Sequence, residues 1–518
     1  MKTVLIPTAG TGSRLGNITN YTNKSLVPVG NKLALCHIIE AYDDQTEFII
    51  LLGYKGHLVK EFCSLAYPLK KIRFVDVNLY EGPGSSLVYS LLQAKEFLQT
   101  PFYFHCCDTM LTSPIPNFTE NTVVVCKDSD YQSYSSISVN DRSVISMHSK
   151  GFQGNDYCYI GVAYYKDARA FWDAAEHLYN EQKENQSLSD IHCIQNMMTK
   201  NSQFTYHTVS EFYDTGNLES YTKCQSHFHQ DFEVLLKHNE SLCFLPGKVI
   251  KFQADKQINE KRYKRGVSLQ ANIPRLIGVS DHFISMEFVS GTLLADSLDY
   301  GDIYRLLEWA QTHLWQNTTI NPLFLQESHD FYITKTKQRL SQIDLSDERM
   351  CVNGLFIGSI LDLLQEIHLE FLVTDTFTQF HGDFILDNIL KTDNNSFVLL
   401  DWRHEFGKQL YLGDMYYDLA KLRHNIIFNH KNINKKLFHV SKDATSAHVD
   451  LKCNYILIKQ LEDFDFFLEK YNYNKKKIMI LTAIVWLNMA PLYENPLREF
   501  LFYFGKLNLY LALSGARP

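Results

Sequence analysis

Residues 7 to 16, "PTAGTGSRLG", follow the apolar run "TVLI" and place Gly10, Gly12 and Gly16 around Thr11 and Ser13. A strand, a glycine-rich turn and a helix start aim backbone N–H groups and the positive end of a helix dipole at a phosphate. Two ligands suit such a loop, and a purely structural turn is the plain alternative. A dinucleotide-binding unit needs an acidic residue at the end of its next strand to hold a ribose hydroxyl. Here that strand reads "TEFIILLGYKG" and ends in Gly53. What the loop has nearby is two cations, Arg14 just past Gly12 and Lys24 in "TNKSLVPVGNK". Those suit a triphosphate, on which charge builds during displacement.

Further along, "YEGPGSSL" sets Gly84 and Ser85 at the entry to a helix, where backbone can approach a base or ribose closely. Asp108 ends the apolar run "PFYFHCCD", and Asp214 stands before a Thr-Gly turn in "EFYDTGNLESY". A pair of such carboxylates is suited to holding Mg²⁺ against a triphosphate. Each alone reads equally well as a helix cap or a turn former.

A second set of chemical residues lies in "HGDFILDNIL" followed by "VLLDW". Asp383 is placed to orient and deprotonate an acceptor hydroxyl. Asn388, five residues on, and Asp401, at the end of the next strand, are placed to bind Mg²⁺ on ATP; these are the parts phosphoryl transfer requires. Upstream, "GKVIKF" puts Lys251 on a strand, as a phosphate-pairing lysine should be. Glu260 in "INEKRYKRG" is a candidate ion-pair partner for it, although a Glu among Lys and Arg on a helix is more often a solvated surface residue. "SMEFVSG", with Glu287 and Val289, reads as a hinge strand that binds adenine by its backbone.

The elements that must position these residues fall into two halves. Up to about residue 225, short β-rich runs alternate with helical patterns such as "SSLVYSLLQAKEFL", which predicts an α/β layered sheet. A new β-rich pair, "SLCFLPGKVIKFQ" and "ISMEFVS", then precedes a mainly helical region after Gly291. The expected organisation is a Rossmann-like domain over 1–228, a linker over 229–240, and a bilobal domain over 241–518 with a small β lobe at 241–290 and a helical lobe at 291–518. At 518 residues the chain is too long for one core, which stops growing at ~250 to 300 residues. The formal charge of -8 argues against nucleic acid as a partner. Eleven cysteines without a C-x-x-C pair read as reduced thiols, and neither a signal peptide nor a membrane span is recognisable, so a cytoplasmic setting is expected.

Residues 1–225 resemble the sugar-1-phosphate nucleotidylyltransferase family, which also contains phosphocholine cytidylyltransferases. "TAGTGSR" with Lys24 is similar to the signature loop, and Asp108 and Asp214 to the metal pair. "YIGVAYY" is similar to the strand whose glycine, here Gly161, lies against the sugar. The resemblance implies attack of a substrate phosphate on the α-phosphorus of an NTP, with Arg14 and Lys24 stabilising charge, Lys150 holding the incoming phosphate, and pyrophosphate leaving. Two positions depart from the family pattern: Asn23 replaces a proline before Lys24, and "HSK" replaces a Glu-Lys pair.

From about residue 240 onwards the chain resembles the aminoglycoside phosphotransferase and choline kinase family, including an acidic helix start in "GDMYYDLAKL" with Asp414 and Asp418. A kinase makes a phosphate monoester and a nucleotidylyltransferase consumes one. The two resemblances together imply a bifunctional enzyme acting on a sugar, polyol or amino alcohol, with ATP, a second NTP and Mg²⁺ at both sites. Its product would be an activated donor for capsule or lipopolysaccharide. A choline or ethanolamine kinase fused to a cytidylyltransferase is the first alternative, and an active kinase carrying a nucleotide-sensing N-terminal domain is the second. A homo-oligomer is compatible with either.

Overall fold

A computed structural model describes residues 2–127, 132–152, 156–228, 239–394, 396–452 and 455–515. The chain is mixed α/β, and it divides into two compact units. One comprises Met1–Lys256 with Ile277–Met286, the other Gln257–Leu276 with Glu287–Pro518. Of the expected linker, residues 229–238 lie outside the described residues. The expected small β lobe forms a four-stranded sheet ordered Glu240–Leu245, Lys248–Gln253, Phe283–Glu287, Leu276–Val279. All of that sheet except the terminal Leu276 and Glu287 belongs to the first unit.

In the first unit, strands Lys71–Asp76, Glu47–Leu52, Thr3–Pro7 and Phe102–His105 lie side by side and parallel. Parallel strands covered on both faces are apolar throughout, and "TVLIP" and "EFIILL" are buried almost end to end, whereas the edge strand Lys71–Asp76 is largely exposed. Successive residues feed two cores: Val4 and Ile6 join one, and Leu5 joins the other. The sheet then turns antiparallel through Tyr157–Tyr165, which pairs with Phe102–His105 and with Thr122–Cys126. It closes on Thr205–Val209, Ser143–His148 and Ser136–Asn140.

An irregularity between Tyr159 and Val162 brings the backbone of this long strand against residues 106–109. Gly161 has φ +81°, its carbonyl accepts from Cys106 N–H at 2.9 Å, and a Cβ there would stand 2.8 Å from Cys106 Sγ. Only glycine permits that approach. The contact anchors the turn that carries Asp108.

The second unit is mainly helical, as the pattern after Gly291 predicts. Helices Met415–Ile427, Lys475–Met489 and Leu497–Ser514 pack around Trp486, Phe500 and Leu501. Strands Ile389–Lys391 and Phe397–Leu399 form a hairpin joined by Thr292–Leu293. One further piece lies outside the sequence reading: Phe438–Lys442 and Ser446–Leu451 form a hairpin that pairs with Cys351–Val352. Its strands are half exposed and its partner is two residues long, so neither apolar periodicity nor length announces it. The ten described cysteines are free thiols, and no helix among the described residues is long and apolar enough to cross a membrane.

Candidate active sites

The glycine loop leaves strand Thr3–Pro7 and enters the short helix Ser13–Asn20. Gly12 stands just before that helix with φ +68°, and a Cβ on it would lie 3.0 Å from Lys24 Cβ and 3.0 Å from Thr19 Cγ2. The missing side chain therefore lets the Lys24 stem lie against the loop. Gly10, Ser13 and Arg14 are exposed and Thr11 is half-buried. Asn23, which departs from the family pattern, is fully buried and fixes the position of Lys24. Its amide donates to Thr8 O at 2.9 Å and Tyr54 O at 2.7 Å, and its carbonyl accepts from Ser25 N–H and Oγ, both at 2.8 Å.

The Lys24 ammonium forms an ion pair with Asp108. Asp214 reaches the same place because Phe212–Asp214 pairs antiparallel with Thr109–Leu111, setting Asp214 opposite Thr109. Thr215 N–H donates to Asp108 O at 2.9 Å, and Tyr134 Oη donates to Asp214 Oδ2 at 3.2 Å. Gly216 marks how closely the carboxylates converge: a Cβ on it would stand 2.7 Å from Asp214 Oδ1 and 3.2 Å from Asp108 Oδ2. Burial and the charge of Asp108 raise the Asp214 carboxyl above its ordinary range. Burial also disfavours the charge on Asp108, but the Lys24 ammonium outweighs it and holds that carboxyl low. Reciprocally, burial would lower Lys24, and Asp108 keeps it protonated. Two hard carboxylates crowded together in a half-buried site form a donor set that fits Mg²⁺.

The other expected residues lie on separate elements. Gly84 is buried with φ +83°, and Ser85 Oγ donates to Gly82 O at 2.6 Å. The cap of helix Leu87–Leu92 is the next residue, Ser86, which accepts from Tyr89 N–H at 3.1 Å. Lys150 is exposed in the turn after strand Ser143–His148.

Asp190, absent from the sequence reading, is buried at the start of helix Asp190–Thr199 and accepts from Tyr159 Oη at 2.7 Å. Burial lifts its carboxyl from 3.8 to about 6. Because the folded value exceeds the unfolded one, the native state holds the extra proton. The stability this contributes is complete below 3.8 and is lost as pH rises through about 6. Urea unfolding between pH 4 and 7 should show that decline, up to about 3 kcal/mol, and Asp190→Asn should flatten it.

In the second unit Asp383, Asn388 and Asp401 meet around the hairpin Ile389–Lys391 and Phe397–Leu399. Asn388 Nδ2 donates to Asp383 O at 3.0 Å and to Asp383 Oδ2 at 3.1 Å, while Lys421 Nζ pairs with Asp383 Oδ1 at 2.7 Å. Burial opposes the charge on Asp383, but the Lys421 ammonium keeps it ionised. Asp401 has φ +50°, strained for a residue with a Cβ, and lies 3.7 Å from the Arg262 guanidinium. His381 ties the two segments together: its Nε2 bonds to Leu400 O at 2.8 Å, and its Nδ1 accepts from Asp383 N–H at 3.2 Å.

Asp418 holds this loop, accepting from His381 N–H and Gly382 N–H, both at 2.7 Å, and from Trp315 Nε1 at 3.1 Å. Asp414 caps helix Met415–Ile427 and accepts from Tyr332 Oη at 2.9 Å. Lys251 is on strand Lys248–Gln253 in the first unit, 3.4 Å from Glu240. Glu260 is on helix Lys256–Ser268 in the second, 2.6 Å from Lys264. Glu287 pairs with Arg275 at 3.0 Å, and Val289 is half-buried two residues on.

No model of a protein family matches the chain. Its N-terminal part is similar in sequence to sugar-1-phosphate nucleotidylyltransferases and cytidylyltransferases. The "Probable glucose-1-phosphate cytidylyltransferase" of Bacillus subtilis is 42% identical over 64 residues, 12% of this chain and 25% of that protein. The "Bifunctional protein GlmU" of Methanococcus vannielii is 29% identical over 146 residues, 27% of this chain and 34% of that protein. The chain thus spans about a quarter to a third of the length of these curated relatives. Among solved structures, the CTP:phosphocholine cytidylyltransferase of Streptococcus pneumoniae is 20% identical with a TM-score of 0.39, covering 44% of this chain and 99% of that one.

Proposed function

We propose that the N-terminal unit is a nucleotidylyltransferase that joins a phosphate monoester to a nucleotide and releases pyrophosphate. The observation that carries this reading is the convergence of Asp108, Asp214 and Lys24 beside the glycine loop, with Gly216 between the carboxylates. Asp108 and Asp214 would hold Mg²⁺, which neutralises charge on the α-phosphate oxygens as the displacement proceeds. Arg14 and Lys24 add positive charge next to loop N–H groups at the N-terminal end of a helix, where a triphosphate is favoured. The oxygen of the monoester bonds to the α-phosphorus, the bond from that phosphorus to the bridging oxygen breaks, and pyrophosphate carries the electron pair away. Lys150 holds the incoming monoester.

This reading has a direct test. Pyrophosphate release is measured with Mg²⁺, each of CTP, UTP, GTP and dTTP, and a panel of sugar 1-phosphates, amino alcohol phosphates and phosphorylated hydroxy acids. Release with one pair is expected, and silence with every pair would refute the reading. Gly216→Ala should slow release by about 10²-fold with little change in melting temperature. The added methyl displaces the carboxylates, while the backbone of Gly216 lies outside the left-handed region.

A second activity is favoured by a separate observation, the hydrogen-bonded pair Asp383 and Asn388 held by His381 and Asp418. On this reading the C-terminal unit is a kinase that makes the monoester from ATP. Asp383 takes the proton of an acceptor hydroxyl, its oxygen bonds to the γ-phosphorus, and ADP leaves. Asn388 and Asp401 would hold Mg²⁺ on the nucleotide. The two steps run in sequence on one small molecule and end in a nucleotide-activated donor of the kind consumed in surface glycan synthesis.

A further inference from the structure

We infer that the acceptor phosphorylated in the C-terminal unit is an anion, a hydroxylated carboxylate or phosphate ester, bound by Lys335, Arg403 and Arg339 beside Asp383. This rests on the kinase reading above and names the substrate class of that site.

The two oxygens of Asp383 face different partners. Oδ2 receives Asn388, the residue assigned to the metal and nucleotide, and Oδ1 receives Lys421. More positive charge gathers with Lys421. The Arg403 side chain covers the backbone next to Asp383, since a Cβ on Gly382 would stand 2.6 Å from Arg403 Cβ and 3.1 Å from its Cδ. Its guanidinium lies 5.1 Å from the centre of the Phe331 ring, and Lys335 Nζ lies 4.3 Å from the centre of that same ring. Arg339 follows Lys335 by one helical turn.

Among the described residues, none of these three cations has a carboxylate within ion-pairing distance. Arg403 Nε donates to Glu405 O at 2.9 Å and Arg339 Nη1 to Asn488 O at 2.7 Å, both neutral carbonyls, and Lys335 has only the Phe331 ring. The nearby carboxylates are engaged elsewhere: Glu405 pairs with Lys261 at 2.7 Å, Asp401 lies by Arg262, and Asp414 pairs with Lys477 at 3.2 Å.

Like charges gathered in a half-buried cluster without counter-charge are unfavourable. Burial, with Arg403, Arg339 and Lys421 adding to it, pushes the Lys335 ammonium down to about 6, so Lys335 holds its proton near pH 7 only when an anion is bound beside it. An anionic substituent on the acceptor supplies the missing counter-charge and, bound there, sets a hydroxyl on the Oδ1 side of Asp383. Choline or ethanolamine would bring one more positive charge into the same place.

The test has two arms. In the first, the full chain with Mg²⁺ and a non-hydrolysable ATP analogue is titrated calorimetrically with D-glycerate and D-gluconate, and with their uncharged counterparts glycerol and D-glucitol. Filling the nucleotide subsite first removes binding of these anions in place of ATP phosphates. In the second, ³²P transfer from labelled ATP is followed to the same four compounds, glycerol 3-phosphate and choline. The inference expects the anions to bind and to be phosphorylated at least 30-fold better than their neutral counterparts. Lys335→Ala and Arg403→Ala should each raise acceptor KM 10- to 100-fold while KM for ATP stays within twofold. Equal use of neutral or cationic acceptors overturns it, as does a loss that appears in KM for ATP. Saturable anion binding abolished by Lys335→Ala, without transfer to any compound, would uphold the anion site and overturn the kinase reading.

Discussion

Asp108→Asn is expected to abolish the proposed nucleotidylyl transfer and to leave the proposed ATP-dependent phosphorylation intact. The expected loss is about 10³-fold in pyrophosphate release, the scale seen when one charge-stabilising group is removed from a transition state. Asp108 and Asp214 flank Gly216, and Asp108 is also the ion-pair partner of Lys24. The amide keeps the shape of the side chain, but it removes one of two negative charges and releases Lys24 from its partner. It also removes a cause of the upward shift at Asp214, so the remaining carboxyl titrates at lower pH than in the parent. A mutant with equal losses in both activities would show that the substitution damages the fold. Circular dichroism and the kinase assay on the same preparation tell the two outcomes apart.

Asp383→Asn gives the complementary result. Transfer from ATP to the acceptor falls by about 10² to 10⁴-fold, the range for a general base, while pyrophosphate release from a supplied phosphate monoester continues. Asp383 is ionised in the structure because Lys421 holds it so, and an amide offers no lone pair of comparable basicity to the hydroxyl proton. Asn388 can still donate to the side-chain oxygen at this position, so the hairpin that carries Asn388 keeps its geometry. If the variant kept its rate of ADP formation with the acceptor present, Asp383 would be a structural carboxylate and the kinase reading would fall.

These two predictions draw on residues legible at different ranges in the sequence. Asp383, Asn388 and Asp401 lie within nineteen positions between apolar runs, so their spacing alone suggests one site. Asp108 and Asp214 are far apart in sequence and look like ordinary strand-end carboxylates. They meet only through the pairing of two three-residue strands, Thr109–Leu111 and Phe212–Asp214. The glycine loop is readable because φ +68° at Gly12 is a backbone requirement that glycine meets best.

What escaped the sequence is held together by tertiary contact. Asn23 reads as a departure from a pattern, yet it makes four hydrogen bonds that fix Lys24. Asp418 reads as part of an acidic helix start, whereas it supports the backbone of His381 and Gly382. Lys335 and Arg339 sit on a helix without a motif, and only the folded chain brings their charge beside Arg403. The alternating helix and strand pattern predicted a mixed α/β chain, but the short hairpin at Phe438–Leu451 has too little apolar periodicity to be read.

The proposal that this chain carries out two successive transfers is tested most directly by product analysis of the intact protein starting from an unphosphorylated acceptor. Purified protein is given Mg²⁺, ATP, the four other NTPs and a pool of hydroxy acids, sugars, polyols and amino alcohols, and the products are identified by mass spectrometry. A nucleoside diphosphate-linked acceptor is expected, formed with ADP and pyrophosphate and lost in both Asp108→Asn and Asp383→Asn. When the matching phosphate monoester is supplied, the product should return in Asp383→Asn alone. A nucleotide-linked product that persists in Asp108→Asn would rule out two successive transfers at these sites, as would its absence when every acceptor and its monoester have been offered.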